Sequence, residues 1–186
     1  MFECTGWRKT IPMNTKVAPE TDESIEDVVN FLKAQEVTLT IAESCTAGEV
    51  CSLIAKVSGC GSVLYSGYVV YDERAKQECL GVRAETIRQF GLTSEEVARE
   101  MACGALNRHP PGEGRPNLAL AITGTAESND EQDGVVCFAY AARIKGDSPI
   151  ISETHKFEGS RNQVRSQAAR HAVASLPGLY RTLVAK

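Results

Sequence analysis

Two hydrophobic periods alternate along the chain. From Asp22, the apolar positions Ile25, Val28, Val29 and Leu32 fall at the i, i+3, i+4, i+7 spacing of an amphipathic helix. The run Val37-Thr38-Leu39-Thr40-Ile41-Ala42 then predicts a strand. From Gly48 to about Val57, the residues Val50, Leu53, Ile54 and Val57 form one helical stripe, and Ser58-Gly59-Cys60-Gly61 ends it. A second strand is expected over Ser66–Tyr71, and a short helix over Asp72–Leu80 with Asp72 as its N-cap and Gly81 as its stop.

Arg83–Phe90 reads as another short helix closed by Gly91, and Thr93-Ser94-Glu95-Glu96 offers a capping box for a longer one through Leu106. The loop His109-Pro110-Pro111-Gly112-Glu113-Gly114-Arg115-Pro116 leads into the apolar strand Leu118–Ile122. Gly134–Ala142 and Ile150–Phe157 read as a hairpin pair, and Ser160–Leu176 as a last helix that Pro177-Gly178 breaks before a final turn. Helix and strand alternate without internal repeats. The expected fold is therefore α/β, a three-layer α/β/α sandwich with helices on both faces of a mixed sheet, as one domain over residues 22–186. Residues 1–21 lack periodicity and are expected to be a poorly ordered extension.

Composition narrows the class. A net charge of −4 and a pI near 5.5, with no basic run, give no reason to expect nucleic acid or an anionic membrane as partner. No apolar stretch reaches the ~20 residues of a membrane span, and the first 20 residues lack the apolar segment of a leader, so a cytoplasmic location is expected. Seven cysteines without a C-x-x-C pair point to free thiols rather than a disulfide scaffold or a zinc site. His109, His155 and His171 show no metal-ligand spacing, and no metal is expected.

Reactive groups gather at predicted strand exits: Glu43-Ser44-Cys45-Thr46 after the first strand, Thr123-Gly124-Thr125 after Ile122, and Tyr71 with Lys76 one helical turn further on. Sites in layered α/β sheets collect at such exits. A buried neutral lysine can deprotonate a serine, so Ser44 and Lys76 suit nucleophilic catalysis if the fold brings them together. Cys45 rivals Ser44, because a thiol near a helix N-terminus is activated. Thr46 and Glu49 fit a T-x-x-E capping box, which gives Thr46 a local structural reason to be there.

The stretches AESCTAGE, SGYVVYDERAKQECLGV and FEGSRNQVRSQAA, in this order, resemble the motifs of the C-terminal domain of the competence/damage-inducible protein CinA. The resemblance runs from about residue 23 to 176. It implies a compact α/β/α sandwich, often dimeric or higher. It also implies hydrolysis of nicotinamide mononucleotide to nicotinic acid mononucleotide and ammonia, with no cofactor and with a pyridine nucleotide or related carboxamide as small-molecule partner.

That resemblance places the family's serine and lysine on Ser44 and Lys76, its neighbouring hydroxyl on Thr46, its strand-end tyrosine on Tyr71 and its last-helix arginine on Arg165. Ser44, Lys76, Thr46 and Tyr71 are expected to be catalytic, and Glu43, Cys45, Ala47, Gly48, Thr123, Gly124 and Arg165 to line the substrate. Backbone amides of the 45–48 turn would hold the oxyanion. The helix start at Ala47-Gly48, Arg165 or Arg161 would take the phosphate. The chain departs from the family where TGTAESNDEQDGVV replaces a glycine-rich loop, and where Ala47-Gly48 stands in place of a glycine pair. Acidic residues over 127–133 would disfavour an anionic substrate. Two further readings therefore stand beside the hydrolase: a catalytically silent binding or assembly module, and a thiol amidase using Cys45.

Overall fold

The computed structural model of the protein describes residues 24–144 and 148–185. The expected extension over residues 1–21 lies outside the described residues. Among them the chain order is α1 (Ile25–Ala34), β1 (Leu39–Glu43), α2 (Glu49–Ala55), β2 (Leu64–Val69), α3 (Glu73–Leu80), α4 (Ala84–Phe90), α5 (Glu95–Asn107), β3 (Leu118–Gly124), β4 (Val135–Ala142), β5 (Ile150–Lys156), α6 (Arg161–Ala174) and α7 (Leu176–Val184).

The five strands form one mixed sheet in the order β2-β1-β3-β4-β5. β1 runs parallel to both β2 and β3, while β3–β4 and β4–β5 are antiparallel. One core joins the sheet to α1, α2, α6 and α7, and a second joins its other face to α3, α4 and α5. Being covered on both faces is why β1 and β3 are buried along their length without alternation, whereas the edge strand β2 alternates half-buried and exposed positions. The expected layered α/β fold is the observed one.

Local chemistry explains most boundaries. Ser24 and Asp27 form a reciprocal capping box at α1, and the Asp72 side chain accepts from the Arg74 amide at α3. At α5 the N-cap is Ser94 rather than Thr93: the Ser94 hydroxyl accepts from the Val97 amide, while the Thr93 hydroxyl pairs with that of Thr125 and Glu96 approaches Arg99. Pro177 does break the last helix. The segment after the break is a nine-residue helix rather than a turn, since proline is tolerated in the first turn of α7.

Two glycines set distances that matter for the site. A Cβ on Gly104 would lie 1.9 Å from the Leu80 carbonyl, so only glycine lets α5 press against the end of α3. A Cβ on Gly124 would lie 2.8 Å from the Val135 carbonyl, so the β3–β4 hairpin itself demands that glycine. The connections after β1 and β2 leave on opposite faces of the sheet. The carboxyl end of β1 is therefore a topological switch point, where crevices open in such sheets.

Candidate active site

β1 ends at Glu43, and the chain turns through Ser44–Gly48 before α2 begins. The Ser44 amide donates to the Ile122 carbonyl of β3 at 3.0 Å, so the serine is fixed at the strand end. Its Oγ lies 2.8 Å from Lys76 Nζ. Lys76 is wholly buried, and Ser44 is 6% exposed. Asp72 capping and the Gly104 contact orient α3 so that its lysine points inward beneath the strand ends.

Nζ also donates to the carbonyl of Val70 at 3.0 Å and to that of Tyr71 at 3.1 Å. Burial lowers the Lys76 pKa from the ordinary lysine value, outweighing the opposing pull of Cys45, Asp72 and Glu73. The hydrogen-bond count sharpens the consequence. A protonated amine uses all three N–H groups on these three oxygens. A neutral amine keeps both carbonyls satisfied and presents its lone pair to the Ser44 hydroxyl.

The turn is built differently from the expected capping box. α2 starts at Gly48, which makes no side-chain cap, and Thr46 Oγ1 has no hydrogen-bond partner among the described residues. The acceptor at the start of α2 is Glu43, whose carboxylate takes the amides of Gly48 at 2.9 Å, Val50 at 3.2 Å and Cys51 at 2.9 Å. Glu43 is completely buried. This carboxylate occupies the helix N-terminus that the sequence offered as a phosphate site. Glu49 instead approaches Arg165, at 4.0 Å.

Ala47 sits in the left-handed region at φ 50°, followed by Gly48 at φ 93°. A side chain there is strained by about 1 kcal/mol. Arg165 of α6 clamps this turn, donating Nε–H to the Cys45 carbonyl at 3.0 Å and Nη–H to the Thr46 carbonyl at 3.2 Å. Burial pushes the Cys45 thiol up to about 11, despite the backbone amides and Lys76 that favour its anion.

The remaining candidates are placed with other duties. Thr123 Oγ donates to the Leu92 carbonyl at 3.0 Å, tying β3 to the loop before α5. The Tyr71 ring is 53% exposed, and its hydroxyl accepts from Arg161 at 2.6 Å. The Tyr71 and Val70 carbonyls that hold Lys76 had no signal in the sequence, because a main-chain acceptor leaves no trace in side-chain identity.

The acidic segment rises from the sheet edge that carries Ser44, since β3 runs parallel to β1. It closes on itself. Asp133 accepts from the Ser128 amide at 2.9 Å, and Asp130 accepts from the Ser128 hydroxyl at 2.7 Å and the Gln132 amide at 2.9 Å. Two of its carboxylates therefore act as turn formers.

The family model of the CinA C-terminal domain matches residues 21–179. The chain belongs to the CinA C-terminal domain family. Its relatives include the nicotinamide-nucleotide amidohydrolase PncC of Escherichia coli K12, 39% identical over 156 residues, which are 81% of this chain and 89% of that protein. A longer CinA-like protein of Chlorobium luteolum is 35% identical over 156 residues, only 35% of its own length.

Solved family structures superpose well. A CinA superfamily protein of Escherichia coli matches with a TM-score of 0.72 at 31% identity, covering 83% of this chain and 90% of that one. A competence/damage-inducible protein of Agrobacterium tumefaciens matches with a TM-score of 0.74 at 30% identity, covering 85% and 96%. Among the described residues no helix of this family member is long and apolar enough to cross a membrane.

Proposed function

We propose that the protein hydrolyses the carboxamide of a nicotinamide nucleotide, releasing ammonia, with Ser44 as nucleophile and Lys76 as its base. The observation that carries this reading is the buried 2.8 Å contact between Ser44 Oγ and Lys76 Nζ. A lysine with no solvent access and two carbonyl acceptors costs folding energy that a binding module has no need to spend. That argues against the silent alternative. The Cys45 thiol, held protonated up to about 11, argues against the thiol amidase.

Ser44 Oγ attacks the carboxamide carbon while its proton passes to the Lys76 lone pair. The tetrahedral intermediate collapses with cleavage of the C–N bond, and the Lys76 ammonium returns the proton to the leaving nitrogen, which departs as ammonia. Water, deprotonated by Lys76, then cleaves the Ser44 ester and gives the carboxylate product.

The oxyanion donors are narrowed by the turn. Ala47 N–H is given to the Ser44 carbonyl, Glu49 N–H to the Thr46 carbonyl, and those of Gly48, Val50 and Cys51 to the Glu43 carboxylate. The Cys45 and Thr46 amides, which follow Ser44 and lie beside the Cys45 sulfur, are the donors of the turn nearest the developing charge, with the Thr46 hydroxyl, unpartnered among the described residues, beside them. Arg165 is engaged with two carbonyls, so exposed Arg161, joined to Tyr71 at the same edge, is the better phosphate ligand.

The test is ammonia release from nicotinamide mononucleotide by the wild-type protein and by Ser44→Ala. Turnover that falls by about 10³-fold or more in Ser44→Ala supports the reading. Absence of turnover in the wild type, or full turnover in Ser44→Ala, overturns it.

A further inference from the structure

Three side chains outside the site converge on one point. Glu153 and His155 sit two apart on β5 and so share a face of the sheet, and His171 of α6 packs down on that face. The Nε2 of His171 lies 2.9 Å from Glu153 Oε1, and the Nε2 of His155 lies 3.2 Å from Glu153 Oε2. All three donor atoms lie within 4.8 Å of one another. The imidazole centroids are 4.1 Å apart.

We propose that Glu153, His155 and His171 form a binding site for a borderline divalent transition metal of the zinc type. Tetrahedral bonds of about 2.0–2.1 Å place neighbouring ligand atoms about 3.3 Å apart, close to the separation of each imidazole nitrogen from its nearer oxygen of Glu153, Oε1 for His171 and Oε2 for His155. Two imidazoles and one carboxylate are the donor set such ions prefer over calcium or magnesium, which take oxygen ligands. Phe138 and Phe157 wall the cluster, with ring centroids 5.0 Å and 5.9 Å from His171. The Tyr140 hydroxyl donates to Glu153 at 3.4 Å and orients the carboxylate, as outer partners of metal ligands do.

His155, 32% exposed, leaves one side open, where a water would complete a fourth position on a bound ion.

The site lies apart from Ser44. β5 stands three strands from β1, roughly 14 Å across the sheet. An ion here cross-links β5 to α6, the helix whose Arg165 clamps the Ser44 turn. The bound metal is thus a staple of the scaffold rather than a participant in the Ser44 chemistry. Spacing hid it from the sequence, because His155 and His171 come from a strand and a helix separated by a loop.

The test uses the full chain, stripped with chelator and titrated with Co²⁺ and then Zn²⁺. The expected result is one saturable equivalent per chain and visible Co²⁺ bands without a thiolate charge-transfer band. Zn²⁺ should displace the Co²⁺ and raise the melting temperature. His155→Ala, at the more exposed ligand, should weaken binding by at least about tenfold while keeping the native circular dichroism. A thiolate band in the wild type would place the ion on the free cysteines and overturn the site. So would equal affinity in wild type and His155→Ala, or no stoichiometric binding to the wild type at all.

Discussion

Lys76 Nζ lies 2.8 Å from Ser44 Oγ, and its other two donors are committed to the carbonyls of Val70 and Tyr71. Because burial lowers its pKa below the ordinary 10.5, the unfolded chain binds the Lys76 proton more tightly than the folded one. Stability therefore rises with pH across the interval between the depressed value and 10.5, where only the unfolded state is protonated. The neutral base accumulates as pH rises through the depressed value, the lower end of that interval. We expect kcat/KM for ammonia release to climb with pH and then level off at the depressed pKa. Urea unfolding at stepped pH should show the stability rise in the wild type and a flatter profile in Lys76→Met. Lys76→Met should be inactive at every pH, and residual activity with an unchanged pH profile would remove Lys76 from the mechanism.

The Cys45 thiol is the chemical rival of Ser44, and its burial decides between them. With its pKa pushed up to about 11, the thiolate fraction at neutral pH is on the order of 10⁻⁴. Cys45→Ala should retain activity within a few-fold of wild type. Iodoacetamide should leave turnover intact on the timescale in which exposed Cys79 is alkylated. Rapid inactivation traced by mass spectrometry to Cys45 would reverse the assignment.

The fold was largely legible because its signals are local and redundant. The unbroken apolar run at β3 and the β-branched, apolar-rich run at β1 marked strands, and Asp72, Gly81 and Gly91 marked helix ends by chemistry that needs no partner. The Ser44–Lys76 pairing was legible only as two groups at strand exits, since the distance between them depends on how α3 docks. What misled was the turn. Thr46-x-x-Glu49 matches a capping box in letters, yet the helix starts two residues later at Gly48, and Glu43 at the strand end satisfies the amides of Gly48, Val50 and Cys51 at once. A carboxylate arriving from outside the helix has no position in a local motif. Neither has the Glu153–His155–His171 cluster, which only the docking of α6 on β5 creates.

Glu43 is thus a structural acceptor at the heart of the site. Glu43→Ala would strand three amides in a buried setting, each costing about 1 kcal/mol or more, so a loss of about 3 kcal/mol is expected in chemical denaturation. Glu43→Gln keeps the shape and one oxygen, and should cost less. Substrate contact alone would predict the reverse pattern, near-wild-type stability with a raised KM.

Arg165 tests what the clamp does. Lysine carries the charge but cannot bridge two carbonyls as a planar fork does. If the clamp positions the Ser44 turn, Arg165→Lys lowers kcat by about tenfold or more with KM little changed, because small displacements of a nucleophile are costly. Arg161→Ala, removing the exposed guanidinium next to Tyr71, should instead raise KM for the phosphorylated substrate and leave the unphosphorylated riboside unaffected. Steady-state kinetics on both substrates separate the two roles, and a KM effect at Arg165 would make it the phosphate ligand.

Thr46 offers a test in which stability and activity move in opposite directions. Its hydroxyl is fully buried with no hydrogen-bond partner among the described residues, a state that costs about 1–3 kcal/mol. Valine has nearly the same shape and no such group. Thr46→Val should therefore unfold at higher urea, by up to about 2 kcal/mol, if the surrounding packing holds. A hydroxyl kept at that cost beside the nucleophile fits a donor that finds its acceptor only when the carboxamide is bound, so kcat/KM should fall by about ten- to a hundredfold. Greater stability with unchanged turnover would show that the hydroxyl does nothing for the reaction. Lower stability would mean that Thr46 has a structural partner after all.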